Sequence, residues 1–88
     1  MKKIAILGST GSIGTQALDV IRENRESFRI TALTCGSNIE RMIKQIKEFN
    51  PELVAVAREE DAGRLQAEFP GLQVCYGEEG QTAAAEYD

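Results

Sequence analysis

Histidine is absent from the 88 residues. That removes the commonest general base and the commonest metal ligand, so any chemistry rests on carboxylates, lysines or a bound cofactor. No apolar run approaches the length that crosses a bilayer, and glycines interrupt the first apolar stretch before it attains the length of a secretory signal. The expected location is cytoplasmic. A surplus of positive charge is missing as well: ten Lys and Arg are scattered among fourteen Asp and Glu, for a net charge of −4. Without a basic stripe neither nucleic acid nor a membrane is an expected partner. Cysteine is scarce. Cys35 and Cys75 stand far apart, near the expected ends of two strands and outside any Cys-x-x-Cys pattern, which favours free, half-buried thiols over a disulfide or a metal pair. The length itself allows one small domain with a limited core, short for most complete enzymes.

What is present is concentrated near the start. Ile4-Ala5-Ile6-Leu7 is a nearly continuous apolar run that stops at Gly8, the pattern of a strand buried on both faces of a parallel sheet. Gly8-Ser9-Thr10-Gly11-Ser12-Ile13-Gly14 then gives a Gly-x-x-Gly-x-x-Gly variant of the dinucleotide fingerprint, and an amphipathic segment follows. Each glycine has a separate task in that pattern. Gly8 turns the chain off the strand, Gly11 clears the backbone for a pyrophosphate, and Gly14 lets the helix pack close to the sheet. The phosphates would sit on free N–H groups at the positive end of the helix. The alternative is a tight strand-to-helix turn that holds no ligand.

Ile13, Ala17, Val20 and Ile21, with Leu18 beside them, form the apolar stripe expected of the first helix. Phe28 to Cys35 is rich in β-branched and aromatic residues and predicts a second strand ending at Gly36. Ser37-Asn38-Ile39-Glu40 resembles a capping box and opens a second helix, whose apolar face is Ile39, Met42, Ile43, Ile46 and Phe49 and whose end is Asn50-Pro51. Leu53 to Ala57 predicts a third strand. A third helix from Glu59 to Phe69 turns Ala62, Leu65 and Phe69 inward and offers a Glu60–Arg64 surface pair. The acidic run Glu59-Glu60-Asp61 is better explained by the helix dipole than by a metal. Leu72 to Tyr76 fits a short fourth strand, and Glu78 to Tyr87 a helix built on Ala83, Ala84 and Tyr87. The pattern is α/β, the first half only of a Rossmann-like doubly wound parallel sheet. In that half the first strand takes the centre and the next two lie to one side. With nothing on its other side, an edge of Ile4, Ala5, Ile6 and Leu7 would stand open to pairing with another chain.

Positions 28 to 38 contain no acidic residue to accept from the ribose of NAD. Thr34-Cys35-Gly36-Ser37-Asn38 is small and polar, with Arg41 and Lys44 in the next two turns, an environment that favours the 2′-phosphate of NADP. Ser37 serves equally as helix cap and as cofactor contact, and the two roles are compatible. Arg41 and Lys44 are themselves better read as solvated surface charges than as cofactor contacts, because nothing fixes their direction.

The run Ile6 to Gln16 followed by Leu18-Asp19-Val20, then Phe28, Gly36-x-Asn38, Glu48-Phe49-x-Pro51 and Gly77-Glu78-Glu79-Gly80, resembles the start of the 1-deoxy-D-xylulose 5-phosphate reductoisomerase family along essentially the whole chain. The resemblance implies an NADPH-dependent enzyme that rearranges and reduces 1-deoxy-D-xylulose 5-phosphate to 2-C-methyl-D-erythritol 4-phosphate, on the methylerythritol phosphate route to isoprenoid precursors. It further implies a divalent metal (Mg or Mn) and a homodimer for the full-length enzyme. Carried over by position, the cofactor contacts are Thr10, Gly11, Ser12 and Ile13 at the pyrophosphate and Gly36 and Asn38 near the adenosine ribose. Position 37 departs from the pattern, Ser standing where many members carry Lys or Arg. The family's metal-binding and substrate-phosphate residues fall beyond this length, so no residue here is expected to be catalytic or to ligate metal. Residues 1–88 are then an incomplete dinucleotide-binding domain, inactive alone. The other readings are the NAD(P) domain of another reductase and a non-catalytic nucleotide-sensing module.

Overall fold

In the computed structural model four strands alternate with four helices: β1 (Lys2–Ile6), α1 (Ser12–Glu23), β2 (Phe28–Thr34), α2 (Ile39–Phe49), β3 (Leu53–Val56), α3 (Glu59–Glu68), β4 (Gln73–Tyr76) and α4 (Gly77–Ala85). The described residues are 2–87; Met1 and Asp88, the outermost residues of the expected domain, lie outside them. The strands form one parallel sheet in the order β1-β2-β3-β4. Each of the first three crossovers steps the same way along the sheet, so right-handed connections bring α1, α2 and α3 to one face. There Leu18, Ile21, Met42, Ile43, Ile46 and Leu65 pack against Ile30, Leu33, Val54 and Val56.

α4 covers the other face. It runs back over the sheet and touches all four strands, with Ala84 set among Ala32, Leu53 and Ala55. The small side chains allow the close approach: a Cβ on Gly80 would stand 3.0 Å from the Cys75 backbone. β4 thus extends the sheet beyond β3, and β1 pairs only with β2. As an edge strand among the described residues, β1 has Ile4, Ala5 and Ile6 half-exposed, and Leu7 beyond it is 56% exposed. The double-sided burial expected from its apolar run is therefore not met, for want of a neighbour on its outer side.

Two further details differ from the periodicity. The register runs Ile4↔Ile30 and then Ala5↔Ala32, so Thr31 is an extra residue in β2. Its hydroxyl donates to Ile4 O at 3.2 Å and its carbonyl accepts from Glu52 N at 2.9 Å. This bulge shifts the alternation, placing Ile30 and Leu33 against the helical layer and Ala32 against α4. In α1 the buried line is Gly14, Leu18 and Ile21, while Ile13 and Val20 remain 79% and 58% exposed. The groove toward α2 is lined by Thr15, Leu18, Asp19 and Arg22, which puts Ile13 and Val20 on the flank turned away from α2, beside the open edge of β1. On α3, Arg64 pairs with Glu40 of α2 at 2.7 Å instead of Glu60, because the neighbouring helix offers a carboxylate at closer range.

Candidate functional site

Gly8 leaves β1 with φ +67°, a conformation that costs a residue with a Cβ. β2 then holds the turn: Gly8 N–H donates to Thr34 Oγ1 at 2.9 Å and Ser9 N–H to Thr34 O at 2.7 Å. Gly11 N–H closes back onto Gly8 O at 3.0 Å. α1 starts against this turn so tightly that a Cβ on Gly14 would lie 2.1 Å from Gly8 O and 2.7 Å from Ser9 Cα. Gly14 therefore lets the helix close on the loop itself, where the sequence pattern suggested the sheet. Gly11 is the N-cap and has no side chain to offer. The N–H groups of Ser12 and Ile13 in the first turn have no preceding carbonyl to bond, and they stand exposed at the positive end of the helix dipole.

Gly36, Ser37 and Asn38 follow β2 at the same end of the sheet and are all exposed. A Cβ on Gly36 would meet nothing within 4 Å, so the fold does not itself demand glycine there. The cap of α2 is Asn38, whose Oδ1 accepts from Arg41 N at 3.3 Å. Ser37 is one residue outside, its carbonyl accepting from Ile39 N at 2.9 Å. The expected Ser37–Glu40 capping box is thus displaced by one position. The physical consequence is that the Ser37 hydroxyl is not used by the helix, while Asn38 spends its oxygen on the cap and retains its two amide donors.

All seven residues expected at the cofactor, Thr10, Gly11, Ser12, Ile13, Gly36, Ser37 and Asn38, lie at the C-terminal ends of the neighbouring strands β1 and β2. Arg41 joins the two groups, its Nη1 donating to Thr10 O at 3.4 Å. Lys44 lines the groove between α1 and α2 with Asp19 and Glu48. Three residues outside the seven expected cofactor contacts also support the site: Thr34 through its bonds to Gly8 and Ser9, Gln45, whose Nε2 donates to Ser9 O at 2.8 Å, and Gln81 of α4, whose Nε2 donates to Cys35 O at 3.2 Å. Of these Gln45 left a trace in the sequence, being the one polar residue within the apolar face made by Met42, Ile46 and Phe49. Cys35 is buried beneath the turn, and burial, with Asp61 nearby, pushes its thiol up to about 11. It is a packed, protonated thiol and not a nucleophile.

The arrangement is suited to holding an anion on backbone amides, with a polar turn one strand away. Among the described residues no three Cys, Asp or Glu side chains are grouped as a metal site would require. Cys35 and Cys75 are both free. No described helix is long and apolar enough to cross a membrane.

Residues 4–88 match the family model for 1-deoxy-D-xylulose 5-phosphate reductoisomerase. A relative of that name from Shouchella clausii is 54% identical over 88 residues, covering 99% of this chain and 23% of its own length. One from Listeria monocytogenes serotype 4a is 52% identical over 87 residues, again covering 99% and 23%. Among solved structures, a reductoisomerase in complex with NADPH, fosmidomycin and magnesium superposes with a TM-score of 0.92 at 28% identity, over 100% of this chain and 22% of the other. The Zymomonas mobilis enzyme in complex with NADPH gives 0.89 at 25% identity, over 98% and 23%. The chain spans about a quarter of the length of these proteins.

Proposed function

From the premise that the chain belongs to the 1-deoxy-D-xylulose 5-phosphate reductoisomerase family, we propose that it forms the NADPH-binding part of such an enzyme. The observation that carries this is the Gly8–Gly14 loop, built so that the Ser12 and Ile13 amides have no partner among the described residues, beside an open, uncharged turn at Gly36-Ser37-Asn38. The pyrophosphate sits on the first group, with the Thr10 and Gly11 backbone around it. The adenosine ribose and its 2′-phosphate sit at the second, met by the Ser37 hydroxyl and the Asn38 amide donors. The cofactor supplies a hydride; this chain's residues bind and orient it.

The full-length protein reduces and rearranges 1-deoxy-D-xylulose 5-phosphate to 2-C-methyl-D-erythritol 4-phosphate as a cytoplasmic homodimer, with its phosphosugar substrate as its small-molecule partner. Magnesium is present in the related complexes, and in this reading the metal and substrate groups belong to other parts of the enzyme. The 88 residues alone are inactive in this scheme.

Titration of the chain with NADPH, NADH and ATP tests the reading, with NADPH expected to bind tightest. Preference for ATP would make it a mononucleotide sensor and overturn the proposal. The assignment of the turn is tested separately by Ser37→Asp, which places a negative charge against the 2′-phosphate. Because Asn38 is the cap, this change leaves the helix start intact. NADPH should weaken by about 1 to 3 kcal/mol, the scale of a lost hydrogen bond to a charged group, with NADH affected less. An unchanged NADPH to NADH ratio removes Ser37 from the site.

A further inference from the structure

Two side chains one helical turn apart on α2 take hold of consecutive carbonyls of the glycine loop: Gln45 Nε2 donates to Ser9 O at 2.8 Å and Arg41 Nη1 to Thr10 O at 3.4 Å. The Gln45 bond is the stronger. It is short, and both residues are enclosed, Gln45 at 6% exposure and Ser9 at 0%, whereas the Arg41 bond is long for an N–H···O contact and reaches from an exposed residue. The carboxamide has one chemically sensible orientation, since turning it over would set its oxygen against the Ser9 oxygen. Gln45 Oε1 and Ser9 Oγ are buried without a partner, so the head group's one hydrogen bond is spent on the loop. A buried amide kept for a single backbone acceptor, on a face otherwise made of Met42, Ile43 and Ile46, costs desolvation that an apolar side chain of the same size would avoid.

Peptide geometry gives that cost a purpose. The C=O and N–H of a trans peptide point in opposite directions. With Ser9 O drawn toward α2, the Thr10 N–H is aimed the other way, and it has no acceptor among the described residues. We propose that Gln45 is a positioning residue. By holding the Ser9 carbonyl it aims the Thr10 amide at the pyrophosphate and ties the loop to the helix whose N-terminus carries Asn38, fixing the spacing between the two halves of the site. This rests on the dinucleotide reading of the loop.

Gln45→Met keeps the volume and removes the donor. In the 88-residue chain it should weaken NADPH, NADH and ADP alike, by about tenfold each, because the diphosphate is common to all three. A second readout needs no ligand: nitrogen-15 relaxation dispersion should appear at the Thr10 amide in the variant and be absent in the parent. Gln66→Met is the control. Gln66 Nε2 donates to Phe69 O, Pro70 O and Leu72 O at the opposite end of the sheet, so it should lower stability without moving either readout. Weakening of NADPH alone would place Gln45 at the 2′-phosphate and overturn the proposal. Equal weakening by both variants would show a general loss of stability and do the same. If the parent binds the ligands and Gln45→Met binds them as well, only the positioning role fails. If the parent binds none of them, the dinucleotide reading fails first and takes this one with it.

Discussion

Gly8 and Gly14 are needed for different reasons, and their substitutions separate those reasons. At Gly8 an added Cβ meets nothing within 4 Å, so Gly8→Ala loses only the conformational allowance of a positive φ, about 1 to 2 kcal/mol. At Gly14 the Cβ lands 2.1 Å from a backbone oxygen, and neither partner is a flexible side chain that can swing aside. Gly14→Ala must push α1 off the loop, at about 3 kcal/mol or more, the upper range for overpacking. It should therefore lower the denaturation midpoint more than Gly8→Ala in parallel melts. Equal losses would mean that α1 slides along the sheet at little cost. The glycine spacing was legible because its requirements are local. The grip of Thr34 on the loop and the contact from Gln81 were not, because they join residues 26 and 46 positions apart, and nothing in their own neighbourhoods marks those partners.

α1 and α2 are joined across their exposed sides by charge. Arg22 donates to Glu48 through Nε and, at 2.7 Å, through Nη2; Arg25 reaches the same carboxylate at 3.0 Å, and both guanidinium groups lie over the Phe49 ring at 5.4 and 5.1 Å. The hydrogen bond from Arg22 is the main cause that holds the Glu48 carboxyl below its ordinary value of 4.5. A carboxyl lowered in the fold stabilises it above the ordinary value, and that contribution is lost as pH falls from 4.5 through the lowered one. Glu48→Gln should flatten the acid limb of stability against pH and leave the alkaline limb unchanged. An acid limb identical to the parent's would mean that the pair is screened to nothing. At this scale the sequence was informative about α2 and α3, whose inward faces follow the helical period, and less so about α1. There two apolar lines compete, Gly14-Leu18-Ile21 and Ile13-Ala17-Val20, and the clearance at Gly14 decides between them, which no periodicity encodes. The Thr31 bulge was hidden for a similar reason: an extra residue in one strand is defined by its partner's register.

On the scale of the whole molecule the sheet of the described residues has two edges, β1 and β4, and the one bounded by β1 is flanked by exposed apolar side chains. The half-exposed strand, Leu7, Ile13 and Val20 present apolar surface along one edge, and an unpaired parallel strand is a template for another chain. The 88-residue chain should associate with itself in sedimentation at raised concentration, and Val20→Lys should reduce this without loss of helix signal. A parent chain that sediments as a monomer at every concentration would argue against an adhesive edge. The adjacency of β1 and β2 follows from alternation and short connections, whereas the place of β4 beyond β3, and the return of α4 over the other face, depend on non-local packing of Ala84 among Ala32, Leu53 and Ala55. That return has a consequence in time. β1 to β4 pair in the order in which they are synthesised, each beside the one made just before it, so sheet and first helical layer can accumulate while the chain is still emerging. α4 is made after all four strands, and among the described residues it is α4 that covers the Leu53 face. Docking of α4 is therefore the step that covers this stretch of the second face, and Gly80, where α4 comes within contact of Cys75, sets how closely that helix can seat.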